Sequence, residues 1–148
     1  MKKSATPRKR SAGLNPLWFI IGTVALAVVA LAAFALLPVG NTTTLPKEIS
    51  VTEAATMREA GAFILDVRQP EEWMEYHIPG STLIPLDQLS ARLSEVPRDR
   101  EIVVVCRSGN RSQQGRDILL QAGFTRVTSM AGGLRRWAAS GLPTVSGP

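Results

Sequence analysis

Residues 101–112 read Glu-Ile-Val-Val-Val-Cys-Arg-Ser-Gly-Asn-Arg-Ser, and Cys106 is the only cysteine in the chain. The apolar β-branched run up to Val105 predicts a buried strand, and Ser112–Gln121 predicts a helix closed by Gly123. Between them lies a short polar loop. A strand that turns at once into a helix is the repeating unit of a parallel sheet, so this stretch decides the fold class.

Outward from this unit the same alternation recurs. Glu48–Val51 predicts a first strand, with Thr52 capping a helix that runs to Ala60 and stops at Gly61. Ala62–Asp66 reads as a strand. Pro70–Glu75 reads as a short helix with proline and acids in its first turn. Thr82–Ile84 is a short strand ended by Pro85, and Leu86–Leu93 is helical. After the cysteine unit come a last strand, Arg126–Ser129, and a helix, Leu134–Ser140, entered through Gly132-Gly133 and ended by Gly141. Strands and helices joined by short connections predict an α/β fold with a parallel sheet covered by helices. In such sheets ligands bind beyond the carboxyl ends of the strands, which is where Cys106 falls.

The amino-terminal third is different material. The chain has 148 residues and a formal net charge of +5, but five positive charges (Lys2, Lys3, Arg8, Lys9, Arg10) fall in its first ten residues. Residues 41–148 hold twelve Lys/Arg against twelve Asp/Glu, so no basic face for nucleic acid is expected within the fold. Residues 17–37 carry no charge, and as a helix they would span ~31 Å, a bilayer core. Trp18 stands at the edge of the run, and Pro16 and Pro38 bracket it. A cleaved signal has a shorter apolar region, and its possible small-residue site, Ala33-Phe-Ala35, lies inside the run, so the length favours an anchor. The expected division is a basic cytoplasmic tail (1–16), one transmembrane helix (17–37), a linker (38–46) and a folded domain (47–148). The positive-inside rule puts the tail in the cytoplasm and the domain outside it. One cysteine allows no intramolecular disulfide. Nothing along 47–148 demands a partner, so the domain is read as monomeric.

The nucleophilic form of a cysteine is the thiolate. A helix start with unpaired N–H groups and the flanking cations Arg107 and Arg111 would favour that anion. Ser108-Gly109-Asn110 can fold into a nest of N–H donors, since Gly and Asn tolerate positive φ. A core cysteine would sit within the apolar run, whereas this one follows it and precedes polar or small residues, so Cys106 is read as reactive.

With these residues in place, the chain resembles the rhodanese family, the single-domain sulfurtransferase type, over about residues 47–145. Cys106-Arg-Ser-Gly-Asn-Arg111 resembles the six-residue active-site loop of that family. Asp66-Val-Arg68, Glu72-Trp73, His77-Ile-Pro-Gly80, Ile84-Pro85, Gly123-Phe124, Gly132-Gly133 with Trp137, and Gly141-Leu-Pro143 fall in its order and spacing. The resemblance implies a three-layer domain with a five-stranded parallel sheet and helices on both faces. It implies that Cys106 takes a sulfane sulfur from a small anionic donor such as thiosulfate, becomes a persulfide and passes the sulfur to cyanide or a thiol. By the same resemblance the backbone of Arg107, Ser108, Gly109, Asn110 and Arg111 cradles that sulfur, the arginines favour anionic donors, and no metal or organic cofactor takes part. Departures from the family pattern are Tyr76 for a common glycine, Ser81 for alanine and Leu83 for asparagine. They bear on pocket shape.

A cysteine phosphatase or arsenate reductase is one rival reading. Cysteine phosphatases separate their cysteine and arginine by five residues, whereas four lie between Cys106 and Arg111. A tethered sulfur carrier or partner-binding module is the non-turnover alternative. His77, the only histidine, sits in the matched His-Ile-Pro-Gly turn and is read as structural rather than as a base for Cys106. Asp66 and Arg68 are read as a structural ion pair, Trp73 and Trp137 as packing residues. No His/Cys/Asp/Glu cluster has metal-ligand spacing, and no phosphate-binding Gly-x-Gly-x-x-Gly follows a strand.

Overall fold

The computed structural model of the protein describes residues 44–148. The basic tail, the apolar segment 17–37 and residues 38–43 of the linker lie outside the described residues. Among the described residues, no helix is long and apolar enough to cross a membrane.

The elements in chain order are β1 (Glu48–Ile49), α1 (Val51–Glu59), β2 (Phe63–Asp66), α2 (Pro70–Glu75), β3 (Thr82–Leu83), α3 (Leu86–Leu89), a single 3₁₀ turn (Leu93–Glu95), β4 (Ile102–Val105), α4 (Asn110–Gln121), β5 (Val127–Met130) and α5 (Gly133–Ala139). The five strands form one sheet in the order β1-β5-β4-β2-β3, and every pairing is parallel. The expected five-stranded parallel sheet is therefore present.

Side chains alternate across the strands, and the alternation builds two cores. Leu65, Ile102, Val104 and Val127 pack on one face with Leu89 and Leu119, from α3 and α4. Ile64, Val103, Val105 and Met130 pack on the other with Ala54, Leu134 and Trp137, from α1 and α5. Each such fully buried aliphatic side chain contributes ~1.5–3 kcal/mol of burial free energy. Helix α4 lies close on the sheet because Gly115 has no side chain. A Cβ there would sit 3.0 Å from Val104 Cγ1 and 3.3 Å from Val67 Cγ1.

Several boundaries differ from the sequence reading. The first helix is capped by Ser50 rather than Thr52. Ser50 Oγ accepts from Glu53 N at 3.2 Å, and the Glu53 carboxylate accepts from Ser50 N at 2.8 Å. This reciprocal box withdraws Ser50 and Val51 from the first strand. The helix expected over Leu86–Leu93 ends after Leu89 and resumes as the 3₁₀ turn. Helix α4 begins at Asn110, two residues early, because Gly109 takes the capping position with φ 112°. The last strand and helix are shifted by one residue each.

Candidate active site

Strand β4 delivers Cys106 to the carboxyl edge of the sheet, between β2 and β5. Its position continues the β4 alternation, so the side chain belongs to the core face shared with α4 and is 1% exposed. The thiol is thus held by the strand while the backbone turns away above it. Gly109 N–H donates to Cys106 Sγ at 3.1 Å. Gly109 then turns the chain into α4 with a positive φ, which L side chains rarely adopt. Asn110 does not share this conformation, since no non-glycine among the described residues has positive φ. The expected nest therefore turns on one glycine. Gly109 O accepts from Ser112 Oγ at 2.6 Å and from Gln113 N at 3.2 Å, which locks the loop to the first turn of α4.

A second element clamps the loop from behind. Leu134 N donates to Cys106 O at 2.8 Å and Arg135 N donates to Arg107 O at 3.1 Å. The first N–H groups of a helix have no intrahelical partner, and here α5 spends two of them on the loop. Gly133 permits this approach. A Cβ on it would lie 2.3 Å from Cys106 O and 2.6 Å from both Arg107 C and Ser108 N.

The loop side chains part company. Arg107, Ser108 and Asn110 are exposed. Arg107 forms no ion pair among the described residues. Arg111 instead forks onto Glu72 of α2, with Nη1 2.7 Å from Oε2 and Nη2 2.8 Å from Oε1. The guanidinium holds the Glu72 carboxyl down at about 2, and Glu72 in turn raises the pKa of Arg111. The family resemblance implies that both loop arginines favour an anionic donor. One of them is committed to a carboxylate.

Helix α2 is fixed in place by Arg68, which is 1% exposed. Its guanidinium meets both Asp66 oxygens at 2.8–3.0 Å and donates to Glu72 O at 3.0 Å and Tyr76 O at 2.8 Å. The structural pairing expected for Asp66 and Arg68 is present. Burial pushes the Asp66 carboxyl up despite its cationic partner. His77 is engaged elsewhere. Its ring stacks on Trp73 with centroids 3.7 Å apart, and Nδ1 meets Trp73 O at 3.1 Å. Trp137 is buried and donates to Pro143 O at 2.9 Å, a packing role as expected.

A hollow of about 90 Å³ opens beside the loop, lined by Arg68, Glu72, Glu75, Tyr76 and Arg107. A larger one, about 490 Å³, lies by the start of α1 and takes in Ala131 and Arg136, but no loop residue lines it. Among the described residues no group of three or more His, Cys, Asp or Glu gathers as metal ligands. Two site residues carried no role in the sequence reading. Glu72 was visible only as part of a motif, and Gly133 only as a turn.

Comparisons with known proteins bear on the fold and the family. The rhodanese-like domain family matches residues 50–140. A sulfurtransferase of Allochromatium vinosum is 41% identical over 83 residues, covering 56% of this chain and 78% of its own length. Thiosulfate sulfurtransferase 16, chloroplastic, of Arabidopsis thaliana is 37% identical over 114 residues, covering 67% of this chain and 92% of its own. Among solved structures, a rhodanese-related protein of Thermoplasma volcanium superposes with TM-score 0.63 at 30% identity, covering 68% of this chain and 98% of that one. A rhodanese with anions from E. coli gives TM-score 0.52 at 34% identity, covering 59% and 100%. The family match spans most of the described domain, and the chain belongs to the rhodanese-like domain family.

Proposed function

We propose that this protein is a sulfurtransferase that carries sulfane sulfur on Cys106 as a persulfide, with thiosulfate as donor and cyanide or a thiol as acceptor. The observation that carries the reading is the Gly109 N–H aimed at Cys106 Sγ from 3.1 Å, at the end of β4. A backbone donor at that point stabilises negative charge on sulfur, whether thiolate or persulfide. The thiolate attacks the outer sulfur of thiosulfate, the sulfur–sulfur bond of the donor breaks, and sulfite leaves with the electron pair. Cyanide or a thiolate then attacks the terminal sulfur. The Cys106 sulfur–sulfur bond breaks, the thiolate returns, and thiocyanate or a new persulfide departs. No outside oxidant or reductant is needed. Exposed Arg107 attracts the anionic donor. Residues 17–37 anchor the domain to a membrane, with the domain outside the cytoplasm and monomeric.

The experiment treats the full chain and its Cys106→Ser form with thiosulfate and weighs both intact, before and after cyanide. A gain of ~32 Da on the unsubstituted chain alone, lost with cyanide as thiocyanate is released, is the expected result. Loading without steady-state turnover would instead identify a carrier served by a dedicated partner. No loading from thiosulfate would sink the donor assignment. Resistance of the full chain to alkaline extraction from membranes tests the anchor. Release into the supernatant would rule it out.

A further inference from the structure

Sequence alone makes Arg107 and Arg111 equivalent cations on one small loop. The structure separates them. Arg107 is exposed and forms no ion pair among the described residues. Arg111 is forked onto Glu72 in a two-bond, charge-matched geometry. Glu72 is itself held: it also accepts from Gln69 N at 3.2 Å, and its carbonyl is tied to buried Arg68. A pair so closed has little net field at a distance, so the loop offers a donor one effective positive charge where its sequence shows two.

We propose that Glu72 is a positioning residue for Arg111, and that by holding this second cation it limits how strongly the site prefers a doubly charged sulfur donor over a singly charged one. The proposal deepens the sulfurtransferase reading and rests on it. Glu72 touches no reacting atom. It acts through Arg111, from the same hollow that Arg107, Glu75 and Tyr76 line. The rival role is a brace, in which the pair only keeps the loop in shape. A brace affects every donor alike, whereas a charge clamp separates donors by their charge.

The test compares the full chain with Glu72→Gln and Glu72→Asp, using thiosulfate (a dianion) and methanethiosulfonate (a monoanion) with cyanide in excess. In both donors the thiolate attacks the outer sulfur, and sulfite or methanesulfinate leaves. Freeing one unit charge near the sulfur favours the dianion by about fivefold in the ratio of kcat/KM values. Glu72→Gln should produce that gain mainly through the thiosulfate KM, and added salt should shrink it. Glu72→Asp should restore the original ratio. Arg111→Gln alone should lower the ratio, and adding Glu72→Gln should only return it to its original value, because the double variant carries the same net charge as the closed pair. An unchanged ratio, or an equal fall in kcat for both donors, overturns the proposal and leaves a brace.

A second readout stands apart from sulfur chemistry. Cys106 is alkylated with iodoacetate (anionic) or iodoacetamide (neutral) and the products are weighed. Glu72→Gln should raise the iodoacetate-to-iodoacetamide rate ratio by about fivefold. If neither donor loads sulfur on the unsubstituted chain, the sulfurtransferase reading falls while this ratio still decides the role of Glu72. A flat ratio there overturns it.

Discussion

Cys106 and Gly133 are joined more closely than their distance along the chain suggests. The backbone of the cysteine loop rests where a side chain on Gly133 would be, and Gly133 holds φ 58° besides. Gly133→Ala should therefore cost about 3 kcal/mol, from the strained conformation and the overpacking together. The loop must move to make room, and sulfur loading of Cys106 should fall about a hundredfold, since such sites lose that much for a shift near 1 Å. Thermal melting and intact-mass loading check the two effects on one sample. Equal loading at reduced stability would mean that α5 yields rather than the loop. The sequence disclosed Cys106 because its signals are local: an apolar run, a glycine and a helix start lie within a few residues. Gly133 looks like no more than a turn in the sequence, because the reason for its glycine is the carbonyl of Cys106, which no neighbouring residue announces.

Helix α2 is the element on which the site depends without containing its nucleophile. Arg68 joins it to β2, so Arg68→Ala removes one partner of a buried ion pair and leaves Asp66 uncompensated. Loss of about 3–5 kcal/mol is expected, read as a lowered urea midpoint. Acid acts on the other tie. The folded pKa of Glu72, about 2, lies below its ordinary value of 4.5, so its pairing contributes fully above pH 4.5 and is lost as pH falls towards 2. The stability gap between the unsubstituted chain and Glu72→Gln should narrow across that window and hold steady above it. Urea midpoints taken at matched pH check this. Asp66, shifted the opposite way chiefly by burial, is present in both proteins, and because Glu72 is only the last of the causes that shift it, most of its contribution drops out of the difference. Element types were legible because strand alternation and helix caps are written locally. Glu72 to Arg111 was not, because the pair joins α2 to α4 across the sheet edge and its partners are 39 residues apart. The early start of α1 has a local cause that competed with another, since Ser50 and Thr52 are both capping residue types and only Ser50 has Glu53 three residues on.

At the scale of the whole domain, residues 143–148 close the structure over α2. Val145 and His77 exchange both backbone hydrogen bonds, at 2.7 and 2.9 Å. Gly147 N donates to Met74 O at 3.1 Å, Ser146 Oγ to Glu75 O at 2.7 Å, and Trp137 Nε1 to Pro143 O at 2.9 Å. Removing residues 143–148 should cost about 3 kcal/mol, given the modest net worth of each bond and the buried indole left unpaired. For a domain of this size that lowers Tm by roughly 10–20 °C. Amide exchange should quicken in α2 before the central strands, which would show that the strap steadies the helix bearing Glu72. The sheet order itself has a further consequence. Its two outermost strands, β1 and β3, are two residues long, while the four-residue strands all lie inside. A foreign strand seeking to zip onto either margin would find a rung or two of ladder and then nothing, so crowding many copies together should leave them as separate particles rather than seed fibrils.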